Sequence, residues 1–324
     1  MPFGRIYRNV FLLGKIETTS GTDSVPTGGA NAILPAGGDV KITAIEASQV
    51  PRNVVRGFFG SSGSFVGSTW MKAEFSVEKQ GSGAAGTAPP WGVFLRAAGF
   101  AETVTAATRV DYTPVSSSIE TMSLYAYTDG LQFKFIGGVV DFGGSTMVNN
   151  VPAYKITVHA PYLAPTAVSN PTPTLTAWKE PLLVNDANTS DLVLGGSYSA
   201  GAISGGTTYV SGGIEFSMGN QVTRTEMIGA KRVVLTDRKV AGTLKSLDLT
   251  ASQEISLLAM IPASTATSIG LLHGTAAGYK VLEFFAQAKL LSHSYVNVDG
   301  IVMSDFSFEA PPSAGNDDMR IVVL

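Results

Sequence analysis

The stretch Gly81-Ser82-Gly83-Ala84-Ala85-Gly86 has the spacing of a nucleotide-binding loop. It is a literal G-x-G-x-x-G between an expected strand and an expected helix. A dinucleotide site needs the helix to start at the motif, so that its N-terminus faces the pyrophosphate. Here Thr87-Ala88-Pro89-Pro90 delays the helix. No second parallel strand ends in an acid ~20 residues on, and Glu102 lies just past the helix. The preceding strand alternates, whereas a buried parallel strand is continuously apolar. The segment therefore reads as a flexible strand-to-helix loop.

The other chemistry-bearing residues are scattered. The histidines are His159, His273 and His293. None are spaced i, i+4 on a helix, and no H-E-x-x-H occurs, so a zinc site has no signature. Asp317-Asp318 sits in a polar segment and reads as solvated. Asn188-Thr189-Ser190 fits a glycosylation acceptor but has no secretory context. The Gly-rich run 195–213 lacks G-K-[ST] and reads as connections, not a phosphate cradle. With no Cys, disulfides, thiolate metal sites and cysteine nucleophiles are excluded. No catalytic, cofactor-binding or metal-ligating residue is assigned, and an enzyme is not expected.

Composition narrows the class further. The 324 residues are 44% hydrophobic and only 15% charged, with 36 Gly and a net charge of −3. A chain that grips phosphates should be basic, so tight DNA binding is disfavoured. The apolar stretch Val10–Leu13 is too short for a signal peptide or a spanning helix. The expectation is a chain that is not exported by the usual route and does not enter a membrane.

Period-two alternation dominates the elements that must carry any surface. Met71, Ala73, Phe75 and Val77 alternate with Lys72, Glu74, Ser76 and Glu78, which predicts a half-buried antiparallel strand. Leu131–Phe135, Tyr154–Val158, Ile214–Met218, Lys280–Leu290 and Ile301–Phe308 read the same way. Asp129-Gly130 between Met122–Tyr127 and Leu131–Phe135 predicts a hairpin. Helices are expected over Pro90–Ala98, stopped by Gly99, and over Ser252–Met260, with Pro262 after it. The pattern predicts a mainly β (α+β) fold with a helix on each sheet unit.

The Pro-spaced stretch Thr166–Thr174 reads as a linker and prompts a test for duplication. Gln49-Val50-Pro51-Arg52 matches Gln221-Val222-Thr223-Arg224, and Ile42 and Ala44 then fall on Ile214 and Phe216. Trp70 and Phe75 fall on Leu244 and Leu249. Phe135, Ile156, Val158 and Ala160-Pro161 fall on Phe285, Phe306, Phe308 and Ala310-Pro311. Two tandem modules are predicted, 1–165 and 175–324, with 166–174 between them.

Two matched segments invite a partner. Pro51–Phe65 carries Arg52, Arg56, Phe58 and Phe59 amid Gly and Ser. The two phenylalanines either present to a partner or tuck back over the sheet. Its counterpart Thr225–Lys239 is read as a second loop, with Ile228, Lys231, Arg232, Val234 and Asp237.

Glu17–Ile33, Gly81–Phe100 (GSGAAGTAPPWGVFLRAAGF), Tyr125–Gly138 and Pro152–Pro165 together resemble the major tail tube protein of long-tailed, non-contractile bacteriophages. The likeness covers most of residues 1–165 and reaches the second half through the internal match. It implies modules of two packed antiparallel sheets with a flanking helix. One sheet per module joins a barrel around a lumen, and rings stack head to tail into a tube. A duplicated chain needs three copies for a pseudo-sixfold ring. The resemblance implies a virion protein, assembled in the host cytoplasm. Its partners would be itself, the tape-measure protein, non-specifically held genomic DNA, and the tail terminator and distal tail proteins. Loops such as Pro51–Phe65 and Thr225–Lys239 would join rings, and Lys72, Glu74, Ser76 and Glu78 are candidates to face the lumen. A tail terminator or head decoration subunit, an outer-membrane barrel and a β-scaffold hydrolase are the competing readings.

Overall fold

Alternating side chains sort this chain into layers. The computed structural model describes residues 4–324, so Met1–Phe3 of the expected first module lie outside it. The chain runs through β1 (Val10–Ile16), β2 (Ala32–Ile33), β3 (Pro35–Pro51), β4 (Ser64–Glu78), α1 (Gly92–Ala97), β5 (Phe100–Thr105) and β6 (Arg109–Pro114). It continues with β7 (Met122–Thr128), β8 (Leu131–Met147), β9 (Ala153–Pro161), β10 (Thr166–Ala167), β11 (Leu192–Leu194), β12 (Ser197–Ser199), β13 (Ala202–Ser204) and β14 (Thr207–Tyr209). Then come β15 (Gly213–Ser217), β16 (Asn220–Met227), β17 (Ala230–Arg238), β18 (Ala241–Leu247), α2 (Ala251–Ala263), β19 (Ala266–His273), β20 (Val281–Val298), β21 (Ile301–Glu309) and β22 (Arg320–Val323). The fold is mainly β with antiparallel sheets and two short helices, as the alternation predicts.

One layer is a continuous antiparallel sheet in the order β3-β4-β9-β8-β15-β18-β21-β20. Its middle joint, β8 to β15, crosses from the first half of the chain to the second. Ile214 lies opposite Thr146, Glu215 opposite Ser145, Phe216 opposite Gly144, and Ser217 opposite Gly143. The second layer has two sheets. β2-β1-β7 ends on the first part of β8. β14-β11-β19 joins the first part of β20, which continues through β22 to β6 and β5. Both β8 and β20 therefore start in one layer and finish in the other.

The core lies between the layers and runs through both halves without a break. Met71, Ala73, Phe75 and Val77 of β4 point into it, as do Ile156 and Val158 of β9 and Phe306 and Phe308 of β21. Aromatic rings form a file across the joint: Trp91 to Tyr154 at 5.0 Å, Tyr154 to Phe142 at 5.8 Å, Phe142 to Phe216 at 6.1 Å, Phe216 to Phe285 at 5.5 Å, and Phe285 to Phe308 at 5.2 Å. All five contacts are edge-to-face, the geometry that a ring quadrupole favours. Gly144 makes this possible, because a Cβ there would meet the Phe216 ring at 2.3 Å.

Local signals explain the ends. Asp129-Gly130 has φ of 46° and 87°, both positive, as a tight hairpin turn requires. Gly99 at φ 87° follows α1, and α2 opens with a reciprocal capping box between Thr250 and Gln253. Pro262 sits inside the last turn of α2, not after it. The Gly81–Gly86 loop is not a loose connection: Gly81 is buried, and the Gly83 N–H donates to the Gly278 carbonyl at 2.9 Å. The expected linker lies along the first half, with Thr166 opposite Gln132 and the Val168 N–H donating to Gly130 at 3.1 Å.

A buried ion pair ties the halves together. Lys79 follows β4, and its ammonium donates to Glu283 of β20 at 2.6 Å and to the Thr146 hydroxyl of β8. Both charged side chains are almost wholly buried, and the ammonium lies 5.0 Å from the Tyr154 ring centre. Burial pushes the Lys79 pKa down, and the Glu283 carboxylate opposes that shift. Removing one partner strands the other charge. We expect Lys79→Met to cost about 3–5 kcal/mol and the double variant Lys79→Met/Glu283→Leu to recover most of it. Guanidinium denaturation of the dilute chain measures both.

Candidate assembly surfaces and lumen face

The face of the eight-stranded sheet turned away from the core is polar along most of its width. On β4 it presents Lys72, Glu74, Ser76 and Glu78, each half-buried. All four expected lumen residues thus share one face. Their cross-strand neighbours are His159, Thr157, Lys155 and Ala153 of β9. Asp141, Gly143 and Ser145 of β8 continue the face, followed by Glu215 and Ser217 of β15 and Thr243 of β18. A groove of ≈ 570 Å³ runs along it, lined by Glu74, Asp141, Lys155 and Glu215 among others.

Three cations of this face, Lys41, Lys72 and Lys245, lie beside carboxylates. Lys72 lies 3.3 Å from Glu74, Lys41 lies 3.6 Å from Glu74, and Lys245 lies 3.3 Å from Asp305 and 3.9 Å from Glu215. Burial would raise the Glu74 pKa, but Lys72 and Lys41 outweigh it and hold the carboxyl below its usual range. Glu78 is raised by burial. Asp141 is also raised by burial, against the Asn220 and Phe142 backbone N–H groups.

The tip between β3 and β4 stands clear of the fold. Arg52 and Arg56 are exposed, Phe58 is 70% exposed and Phe59 fully so. The Arg56 guanidinium sits 6.0 Å from the Phe58 ring centre. Neither phenylalanine tucks back over the sheet.

The second segment, Thr225–Lys239, is not a loop. It forms most of the β16–β17 hairpin, in which β-branched residues (Val222, Thr223, Thr225 and Val233, Val234, Thr236) flank the Ile228-Gly229 turn. Its inner side packs on the first half: Val233 meets Trp70 and Val139. Lys231 donates to Thr69 at 2.9 Å, with its ammonium 4.9 Å from the Trp70 ring centre. Arg224 binds Glu46 and contacts His159 Nδ1 at 2.9 Å. Lys231 is thus engaged within the chain and Val234 is half-buried, while Ile228, Arg232 and Asp237 stay exposed.

Sequence reasoning missed Lys79, Thr146, Glu283 and the hairpin contacts on Trp70. The β-branched residues on either side of Ile228-Gly229 are the signal that could have shown the hairpin. The three histidines lie apart. Among the described residues, no group of His, Asp and Glu could hold a metal ion, and no helix is long and apolar enough to cross a membrane.

A broad sheet with one polar face, open edges and an exposed aromatic tip defines a subunit built for assembly. The model of the phage tail tube protein family matches residues 8–318, and the chain belongs to that family. It is a structural protein of the virion tail that assembles into a tube. No curated protein matches the chain in a sequence search.

His159 and His273 make stability acid-sensitive. Burial lowers both to about 4 from 6.5, helped by the Arg224 charge at His159 and the Lys79 charge at His273. The folded state favours the neutral rings, so their contribution is complete above pH 6.5 and is lost as pH falls toward 4. We expect denaturation midpoints to drop across that window, with a shallower drop in His159→Gln and in His273→Gln. Chemical denaturation at a series of pH values reads this.

Proposed function

We propose that the chain is the two-module tail tube protein of a long-tailed, non-contractile phage. Three copies form a pseudo-sixfold ring, and rings stack head to tail into the tube through which the genome enters the host. The carrying observation is the eight-stranded sheet, with its apolar face in the core, its polar face uncovered beyond the part around Trp70, Val139 and His159 on which the β16–β17 hairpin packs, and its terminal strands β3 and β20 each paired on one side only in that layer. Closing such sheets into a shared barrel removes their edges.

The module reading draws support from matching ladders. Phe75 lies opposite Ile156 in the first half, and Leu244 lies opposite Phe306 in the second. β3, β4, α1, β8 and β9 thus correspond in order to β15, β18, α2, β20 and β21. By these ladders Leu244 corresponds to Phe75, not to Trp70, and Phe216 to Ile42. The internal match is out of step there because hairpin length and bulges differ between the halves.

In the assembled tube Lys72, Glu74, Ser76 and Glu78 face the lumen. Their charges, one lysine against two glutamates, suit a conduit, since an unbalanced basic wall would hold DNA phosphates in place. The tape-measure protein fills the lumen before DNA does. The terminator and distal tail proteins cap the ends, and assembly takes place in the host cytoplasm. The β3–β4 tip, with Arg52, Arg56, Phe58 and Phe59, and the exposed β16–β17 residues Ile228, Arg232 and Asp237 contact the next ring. Stacking of this kind does not close, so it gives a filament.

Negative-stain microscopy of the concentrated protein tests this: hollow tubes of uniform width are expected, whereas single rings or persistent monomers defeat the reading. The double variant Phe58→Ser/Phe59→Ser should remain folded yet raise the critical concentration for tubes at least about tenfold, since each buried ring contributes about 1.5–3 kcal/mol. Sedimentation across a concentration series measures it.

A further inference from the structure

The joint between halves is observed, and the ladders carry its register to the joint between copies. Residue for residue, Lys289 and Leu290 lie opposite Glu309 and Phe308 as Val139 and Val140 lie opposite His159 and Val158. β20 then bulges at Leu291, skipping one residue. Beyond the bulge Ser292, His293, Ser294 and Tyr295 lie opposite Ser307, Phe306, Asp305 and Ser304. They take the places of Asp141, Phe142, Gly143 and Gly144, which lie opposite Thr157, Ile156, Lys155 and Tyr154. On the other side Lys41, Ile42 and Thr43 lie opposite Glu74, Ala73 and Lys72. They take the places of Glu215, Phe216 and Ser217, opposite Thr243, Gly242 and Ala241.

From this correspondence we infer that β3 of one copy pairs antiparallel with the end of β20 of the next, with Thr43 opposite Ser294, Ile42 opposite Tyr295 and Lys41 opposite Val296. The inference rests on the tube reading above and adds the residue register. The occupant of each edge is a second copy, because the same two strand types already meet once within the chain, as β15 and β8.

Side-chain sizes agree with this pairing. Within the chain the large Phe216 lies over the bare Gly144. Between copies the smaller Ile42 meets Tyr295, so each pair combines one large ring with a partner that leaves it room. Tyr295 is 63% exposed in the single chain, although the core-facing position it occupies would be covered by a neighbouring strand. Thr43 and Ser294 share the polar face. Neither edge pairs elsewhere over these residues among the described residues. An unpaired strand edge is a template for another chain, and here the template has a self-complementary partner.

Thiol cross-linking tests the register cleanly, because the chain has no native Cys. The pair Thr43→Cys/Ser294→Cys places both thiols on the polar face, away from the core. Each single variant should form tubes like the parent, which shows that folding survives. Ser145→Cys/Glu215→Cys, opposed in the intrachain joint, calibrates the geometry by losing free thiol without a change in chain size. After mild oxidation of assembled Thr43→Cys/Ser294→Cys, we expect covalent species larger than dimers on non-reducing gels. The out-of-register pair Thr43→Cys/Val296→Cys should give at least about fivefold less. Tubes that do not link, link only to dimers, or link faster through Val296→Cys overturn the register and leave the tube reading standing. A parent protein that forms neither rings nor tubes overturns both.

Discussion

A β-sheet must satisfy its outermost strands, and this structure is organised around that constraint. Backbone N–H and C=O groups along a strand need partners on both sides. The chain solves the problem once internally, by laying β15 against β8. That joint turns two panels into one sheet, threads the aromatic file from Trp91 to Phe308 and leaves one edge at each end. The second layer uses the same device, since β22 of the second half pairs with β6 of the first.

The two halves consequently share one sheet and one core. Hydrogen bonds of the joint fix the strands, and the file of rings fills the space behind it. The Lys79–Glu283 pair then locks the layers at a point where a slip would leave a charge unpaired. A buried pair of this kind adds little net stability over an apolar substitute, but breaking it is costly. Its value here is registration between β4, β8 and β20. On the reading proposed above, a wall element needs that registration, because flexing at the joint would alter the bore of the ring.

Much of the strand content was legible because alternation is a local signal. Lys72, Glu74, Ser76 and Glu78 against Met71, Ala73, Phe75 and Val77 already define a two-faced strand, and the structure keeps those faces. Asp129-Gly130 likewise acts locally. The full lengths of β8 and β20 were not legible. Gly137-Gly138 and Gly143-Gly144 look like strand breakers, yet β8 runs through both. The first pair sits where the strand changes layers, with Gly137 at φ 65°. The second makes room for Phe216, which is remote in sequence. Lys79 and Glu283 carry no signal at all, being 204 residues apart. The β16–β17 hairpin was obscured because its burial depends on Trp70 and Val139 from the other half.

Joining two panels in one chain changes the assembly problem as well as the fold. A ring of single panels must form every joint between separate molecules, each at the cost of lost translational freedom. On the reading proposed above, half of the joints are formed when the chain folds, at the high effective concentration that a covalent connection gives. The two kinds of joint are then free to diverge. The intrachain joint can use Gly144 under Phe216, a pairing with no polar anchor, because folding enforces it. The joint between copies must find its register unaided, and its residues differ accordingly: Tyr295 has a hydroxyl that donates to Glu254 on α2, which orients the ring before a partner arrives. Orientation of that kind lowers the entropy that association must overcome. Tyr295 is thus an exposed aromatic with a structural reason to be there, and its counterpart Gly144 is a glycine for the complementary reason.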